Sequence, residues 1–227
     1  MRVRKRGLQV AQDTYRNKTG HTVTVQGVVH LAERFFWDYL AVELFTKETQ
    51  GADIHYEFVS NDLEERPALS KLAKLTAKLL PDLVHQSEGV SLKDHWENTD
   101  LKMSEFLHLL GEDRVKKLND VAEQQAEVFA ELEKAPVYPI VQKFYKRFLV
   151  YTPYFGPFLT KLLKKTDPLP MSIVVDTRND IAVNAALESE NDVFCFWGAA
   201  HLPGIGYGLK EAGYKRIKRT WQTAVQL

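Results

Sequence analysis

Two short segments of this chain share one arrangement of chemically capable residues: Gly27-Val28-Val29-His30 near its start and Gly198-Ala199-Ala200-His201 near its end. An imidazole can take up or release a proton near neutral pH and can ligate a divalent metal. The glycine that opens each segment lets the backbone turn tightly and come close to a neighbour. A single Gly-x-x-His is a weak pattern, shared with capping and core histidines. Its recurrence in like surroundings points to one site served by both rings. Glu57 is the carboxylate best placed to join them, and His30, Glu57 and His201 form a donor set suited to Zn²⁺, Mn²⁺ or Fe²⁺ with a position open for water. Such an ion would draw the pKa of its water toward neutrality and make it a nucleophile. Glu33 is a candidate base or supporting partner, or else an exposed helix glutamate. His55 shares a strand face with Glu57 by the two-residue period. Arg178, within Thr177-Arg178-Asn179-Asp180, offers a planar donor fork to an oxyanion, or a surface salt bridge.

These residues need elements to hold them. Leu8 to Tyr15 and His21 to Val29 alternate in polarity around the turn formers Arg16 to Gly20, which predicts a hairpin. Leu31 to Thr49 has helical spacing through Leu31, Phe35, Tyr39, Val42 and Phe45 and stops at Gln50-Gly51. Ala52 to Val59 reads as a strand, completing a βαβ unit. Toward the end, a helix from about Asp176 to Leu187 precedes a strand to Trp197, a helix over Leu202 to Ala212 and an alternating segment over Tyr214 to Val225, a second βαβ unit. Each histidine then falls where a strand ends and its crossover helix begins, the edge at which open α/β sheets bind ligands. The expected class is α/β in the mixed α+β sense: two βαβ units forming a central sheet, with a helical insertion between them. The parts are 1–61, 62–170 and 171–227, all of one composite domain.

The insertion reads as amphipathic helices with no strand, one striped by Leu69, Leu72, Leu75 and Leu79, another by Val115, Leu118, Val121, Val128, Phe129 and Leu132. Residues 82–133 hold 13 acidic and 5 basic side chains, whereas 135–166 hold no acid at all. Opposed solvated helix faces account for this separation of charge, as would a partner that reads it. Tyr138 to Lys165 is aromatic, basic and broken by Pro139, Pro153 and Pro157, a segment either packed in the core or laid on a lipid surface as a peripheral contact.

Composition excludes several classes. Thirty basic and thirty acidic residues cancel, so the strong cationic field of a nucleic-acid-binding protein is missing. Cys195 is the single cysteine and sits in an apolar run, a buried thiol by default. Met1 to Arg6 is basic but no apolar stretch follows, and no run of about 18 apolar residues occurs. The expectation is a cytoplasmic protein without a membrane span. His-Glu-x-x-His, the Gly-Lys-Ser/Thr phosphate loop and Gly-x-Ser-x-Gly do not occur.

At the motif residues the chain resembles the TraB/GumN family, which includes the Tiki-type proteases and is grouped with erythromycin esterase and ChaN-like proteins. Gly27 to His30 is similar to the family's first Gly-x-x-His, Glu57 to its acidic residue after the next strand and Arg178-Asn179 to its Arg-Asn helix start. Gly198 to Gly204 with Gly213-Tyr214 resembles its closing motif, and Thr99-Asp100-Leu101 a recurring Asp-Leu step. The resemblance implies two βαβ units around a helical insert, with a metal-dependent hydrolytic site at their junction. The resulting hypothesis is a hydrolase in which His30, Glu57 and His201 hold the ion, its water attacks an amide or ester carbonyl, and Arg178 steadies the oxyanion. The rival is a module of the same fold that captures haem or a small ligand without turnover, lined by Phe144 to Phe158.

Overall fold

The computed structural model describes residues 1–4, 7–64, 78, 80–148, 150 and 170–227. In chain order the strands are β1 (Arg2–Arg4), β2 (Gly7–Arg16), β3 (Thr22–Val28), β4 (Leu31–Ala32), β5 (Asp53–Tyr56), β6 (Val84–His85), β7 (Glu97–Asn98), β8 (Val193–Gly198) and β9 (Lys215–Gln226). The helices are α1 (Arg34–Thr49), the short α2 (Gln86–Gly89), α3 (Met103–Leu110), α4 (Glu112–Lys134), α5 (residues 138–148), α6 (Pro170–Glu188) and α7 (Leu202–Glu211). The mixed α/β class expected from the sequence is the one found.

β2 and β3 form the expected antiparallel hairpin, and β3, β8, β5 and β7 follow as adjacent parallel strands. β9 closes the other side by pairing antiparallel with β2. Both βαβ units are present, but each is split. β8 lies between β3 and β5, while β3 and β2 separate β8 from β9. The reason lies in side-chain chemistry. Val193 to Trp197 is apolar at every position and buried throughout, so β8 takes the centre of a sheet covered on both faces. β9 carries exposed Lys215, Arg216, Lys218 and Arg219, the charges that keep an edge strand from pairing with another chain. α1 and α7 each end two residues before a glycine in the left-handed region, with φ +81 at Gly51 and +88 at Gly213.

Two cores flank the sheet. Phe194 and Phe196 of β8 pack with Phe36, Trp37, Leu40 and Leu44 of α1, and Val193, Cys195 and Trp197 pack with Ala182 and Val183 of α6 and Ile205 and Leu209 of α7. Cys195 is the buried thiol expected, its pKa pushed up to about 12 by burial. The helical spacing read for α1 chose the wrong face: Phe35, Val42 and Phe45 are exposed, and the buried row is Phe36, Trp37, Leu40 and Leu44. Apolar residues run around the whole of α1, so periodicity alone had no unique side to select.

The insertion also departs from expectation, since it contains two strands. β6 pairs antiparallel with β4, and β7 extends the main sheet beside β5. Strands of two residues have no period to read. In α4 Val115, Leu118, Ala122 and Phe129 turn inward or half inward, while Val121 and Val128 of the expected stripe are exposed. The stripe of Leu69, Leu72, Leu75 and Leu79, and the segment with Pro153 and Pro157, lie outside the described residues. Among the described residues no helix is long and apolar enough to cross a membrane.

Candidate functional site

Four neighbouring parallel strands end on one edge of the sheet, and the candidate residues lie one to three positions past those ends. His30 follows β3, His201 follows β8, Glu57 follows β5 and Asp100 follows β7. The two Gly-x-x-His motifs leave adjacent strands, with Gly198 in register with Val28 and the Ala199 N–H donating to the Val28 carbonyl at 2.8 Å. The interleaving of the two units is what brings His201 between the first histidine and Glu57.

Glu57 is buried at the centre of this edge. One carboxylate oxygen accepts from the Gly198 backbone N–H, the other from Arg178 Nη2. A Cβ on residue 198 would stand 2.8 Å from Glu57 Oε2, so the approach depends on glycine. Arg178 comes from the middle of α6, which already includes Pro170, upstream of the Asp176 that its sequence suggested. Its Nε and Nη2 each lie 2.8 Å from an oxygen of Asp100, whose side chain is fully buried, and its guanidinium rests 5.7 Å from the Trp197 ring centroid. Burial works to lower the Arg178 pKa, but the hydrogen bond to Asp100 and the charge of Glu57 outweigh it and leave it raised. The cation is thereby fixed between two carboxylates.

His201 is buried too, its Nδ1 2.8 Å from Asn179 Oδ1, its Nε2 3.6 Å from Glu57 Oε1 and its ring edge-on to Trp197 at 5.3 Å. With the Asn179 oxygen on Nδ1, the neutral ring carries its proton there and leaves Nε2 bare. Burial lowers the His201 pKa against the pull of Glu57, which favours that neutral form. Asn179, next to Arg178 on α6, is itself wedged against Gly204, where a Cβ would meet its amide nitrogen at 2.0 Å.

His30 is exposed, and it opens on a cleft of about 760 Å³ whose lining includes Leu31, Glu57, Phe58, Val90, Phe106 and Arg178. Its Nδ1 lies 3.2 Å from Gln86 Oε1, and the Gln86 amide nitrogen donates to the Glu57 carbonyl at 3.4 Å. That polarity makes His30 Nδ1 the donor, so Nε2 of the neutral ring is bare. His85, delivered by β6, stacks on His30 with centroids 6.4 Å apart and planes 16° apart. Its Nδ1 accepts the Ser87 backbone N–H at 3.2 Å, which puts its proton on Nε2. Burial, and then the neighbouring His30, lower the His85 pKa. One wall of the cleft thus carries an imidazole with a bare nitrogen beside an imidazole with an N–H.

Of the residues singled out from the sequence, the fold gathers His30, Glu57, His201 and Arg178 at one place. Glu33 goes elsewhere: its carboxylate accepts the Gln226 N–H at 2.8 Å and meets Lys146 at 3.4 Å, tying α1 to the end of β9. His55 faces a separate hollow of about 290 Å³, with Nε2 3.2 Å from Glu97. His85 and Gln86 had no signal in the sequence beyond polarity, Asn179 only the Arg-Asn step and Asp100 only the Asp-Leu step. Comparison with known families, with curated proteins and with solved structures gave no match to this chain. The resemblance to TraB/GumN proteins therefore rests on the motif residues.

The side chains were tested for the metal that this resemblance implies. Both oxygens of Glu57 are engaged, and among the described residues no group of three or more His, Cys, Asp or Glu is arranged to hold an ion. The donor set does not fit a metal in this arrangement.

Proposed function

We propose that the cleft is a hydrolytic site acting on an ester or amide carbonyl flanked by apolar groups. The observation that carries this reading is the pair of stacked rings, His30 with a bare Nε2 and His85 with an Nε2–H, on the wall of an apolar cleft. His30 Nε2 takes a proton from water as the water oxygen attacks the carbonyl carbon. The carbonyl electron pair moves to oxygen, where the His85 N–H and the positive field of Arg178 receive it. Collapse of the intermediate expels the alcohol or amine, which leaves with the proton that His30 holds. Glu57 keeps Arg178 in place, and Asn179 fixes the orientation of the buried His201 ring beside them.

The test is turnover of a panel of p-nitrophenyl esters and amino-acid anilides of increasing acyl length. His30→Ala is expected to lose about 10²–10⁴-fold in rate, the usual worth of a positioned general base, with an unchanged melting temperature. Equal rates for wild type and His30→Ala would end the reading. Chelator treatment and metal analysis belong in the same experiment: the mechanism above expects activity to survive chelation, and loss of activity restored by Zn²⁺ or Mn²⁺ would move the chemistry to a metal-bound water.

A second reading is supported by the apolar lining, from Leu31, Phe58, Val59, Val90, Leu92 and Phe106, around an exposed imidazole. Such a cleft suits capture of haem or a small apolar ligand with His30 as the axial group. A Soret shift on adding haem to the wild type, absent in His30→Ala, would favour it over hydrolysis.

A further inference from the structure

The helix α5 is built the opposite way from a solvent-facing helix. Tyr138 and Tyr145 turn inward and pack on the core beside α1. The side chains that face out include Val137, Ile140 and Phe144, at 51%, 69% and 72% exposure. Ile140 and Phe144 lie about a helical turn apart on one face of α5, and Val137, just before the helix, continues the row. On the flank of that stripe stand Lys143 and Arg147, both exposed, and neither pairs with a carboxylate of a described residue. From 135 to 166 the sequence contains no Asp or Glu. Three carboxylates of adjoining elements are matched by other cations: Glu33 meets Lys146, Glu131 meets Lys134 and Glu133 meets Lys78.

We infer that this face docks the protein on a membrane surface carrying anionic phospholipid. An interfacial helix sinks its apolar face about 5–10 Å into the headgroup boundary while flanking cations meet the lipid phosphates and carboxylates. The dimensions favour lipid over protein. Three apolar side chains on one helix are few beside the roughly 20–30 residues that each partner of a stable protein interface contributes. A chain with equal numbers of acids and bases overall, but none of the acids here, presents its positive charge where the apolar stripe is. The inference is independent of the chemistry of the cleft and stands or falls apart from it.

The experiment is co-sedimentation of the full chain with phosphatidylcholine vesicles, with and without phosphatidylserine. Binding is expected only where phosphatidylserine is present, and raised salt weakens it. Lys143→Ala with Arg147→Ala is expected to lower the partition coefficient roughly five-fold per cation. Ile140→Asp with Phe144→Asp abolishes binding, and the melting temperature of both double variants stays at the wild-type value because the altered side chains face outward. Failure to sediment with either vesicle, equal binding to uncharged vesicles, or binding that neither double variant changes would overturn the proposal. So would a dimer in vesicle-free solution that Ile140→Asp with Phe144→Asp dissociates, since the stripe would then be a contact between copies.

Discussion

The same four-residue pattern does two different jobs in this molecule. Gly198 to His201 leaves the central strand β8, flanked on both sides, and its histidine is buried against Trp197, Asn179 and Glu57. Gly27 to His30 leaves β3 one strand away, and its histidine stands exposed at the cleft with Gln86 and His85. The motif fixes where on a strand an imidazole appears; the side chains around that strand end leave one imidazole buried and the other exposed at the cleft. A buried ring with a lowered pKa and a fixed proton is a positioning group. An exposed ring beside a cleft is the one a substrate can reach.

This contrast can be broken by measurement. The largest effect is expected at the group both motifs share. Glu57→Ala strips one carboxylate from Arg178 and the acceptor from the Gly198 N–H, and breaking a buried pair on one side costs about 3–5 kcal/mol. A loss below about 1 kcal/mol by urea unfolding would show that Glu57 is not the centre of the edge. Next, His201→Ala should cost about 2 kcal/mol, from the lost ring packing and the unpaired Asn179 amide, whereas His30→Ala should stay within about 0.5 kcal/mol. Equal costs would erase the difference between the motifs.

A smaller effect concerns pH. The folded-state pKa of His201 is depressed, chiefly by burial, so on acidification the unfolded chain binds the proton first. The stabilisation is complete above the unfolded value of about 6.5 and is lost as pH falls through the lower folded value. His55, also depressed by burial, adds to the same trend. Thermal melts from pH 8 downward, to about pH 5, should therefore show falling stability, less steep in His201→Ala. An unaltered slope in His201→Ala would contradict the assignment. The smallest expected response is at Cys195: with its thiol held at about 12, the folded protein should leave a thiol reagent unconsumed until it is denatured.

Much of this architecture was legible because the strands that matter have strong local signals. Thr22 to Val25 is β-branched, Val193 to Trp197 is apolar throughout, and Gly51 and Gly213 mark the ends of two helices. Three site residues, His30, Glu57 and His201, followed, since a polar side chain just past such a strand has one place to go. The interleaving of the two units was not legible. Strand order depends on which faces each strand can bury, a property of the assembled sheet. His85 and Gln86 were hidden for another reason: β6 is two residues long, and its pairing with β4, which brings both beside His30, leaves no periodic trace. Glu33 was misplaced by proximity in sequence to His30, although the start of α1 turns it toward Gln226 and Lys146.

The most direct test compares kcat/KM and melting temperature for the wild type, His30→Ala and His201→Ala on the best substrate of the ester and anilide panel. The account predicts that His30→Ala loses turnover by about 10²–10⁴-fold at unchanged stability, while His201→Ala loses stability as well as rate. A His30→Ala protein that melts and turns over like the wild type would contradict the division of labour between the two motifs.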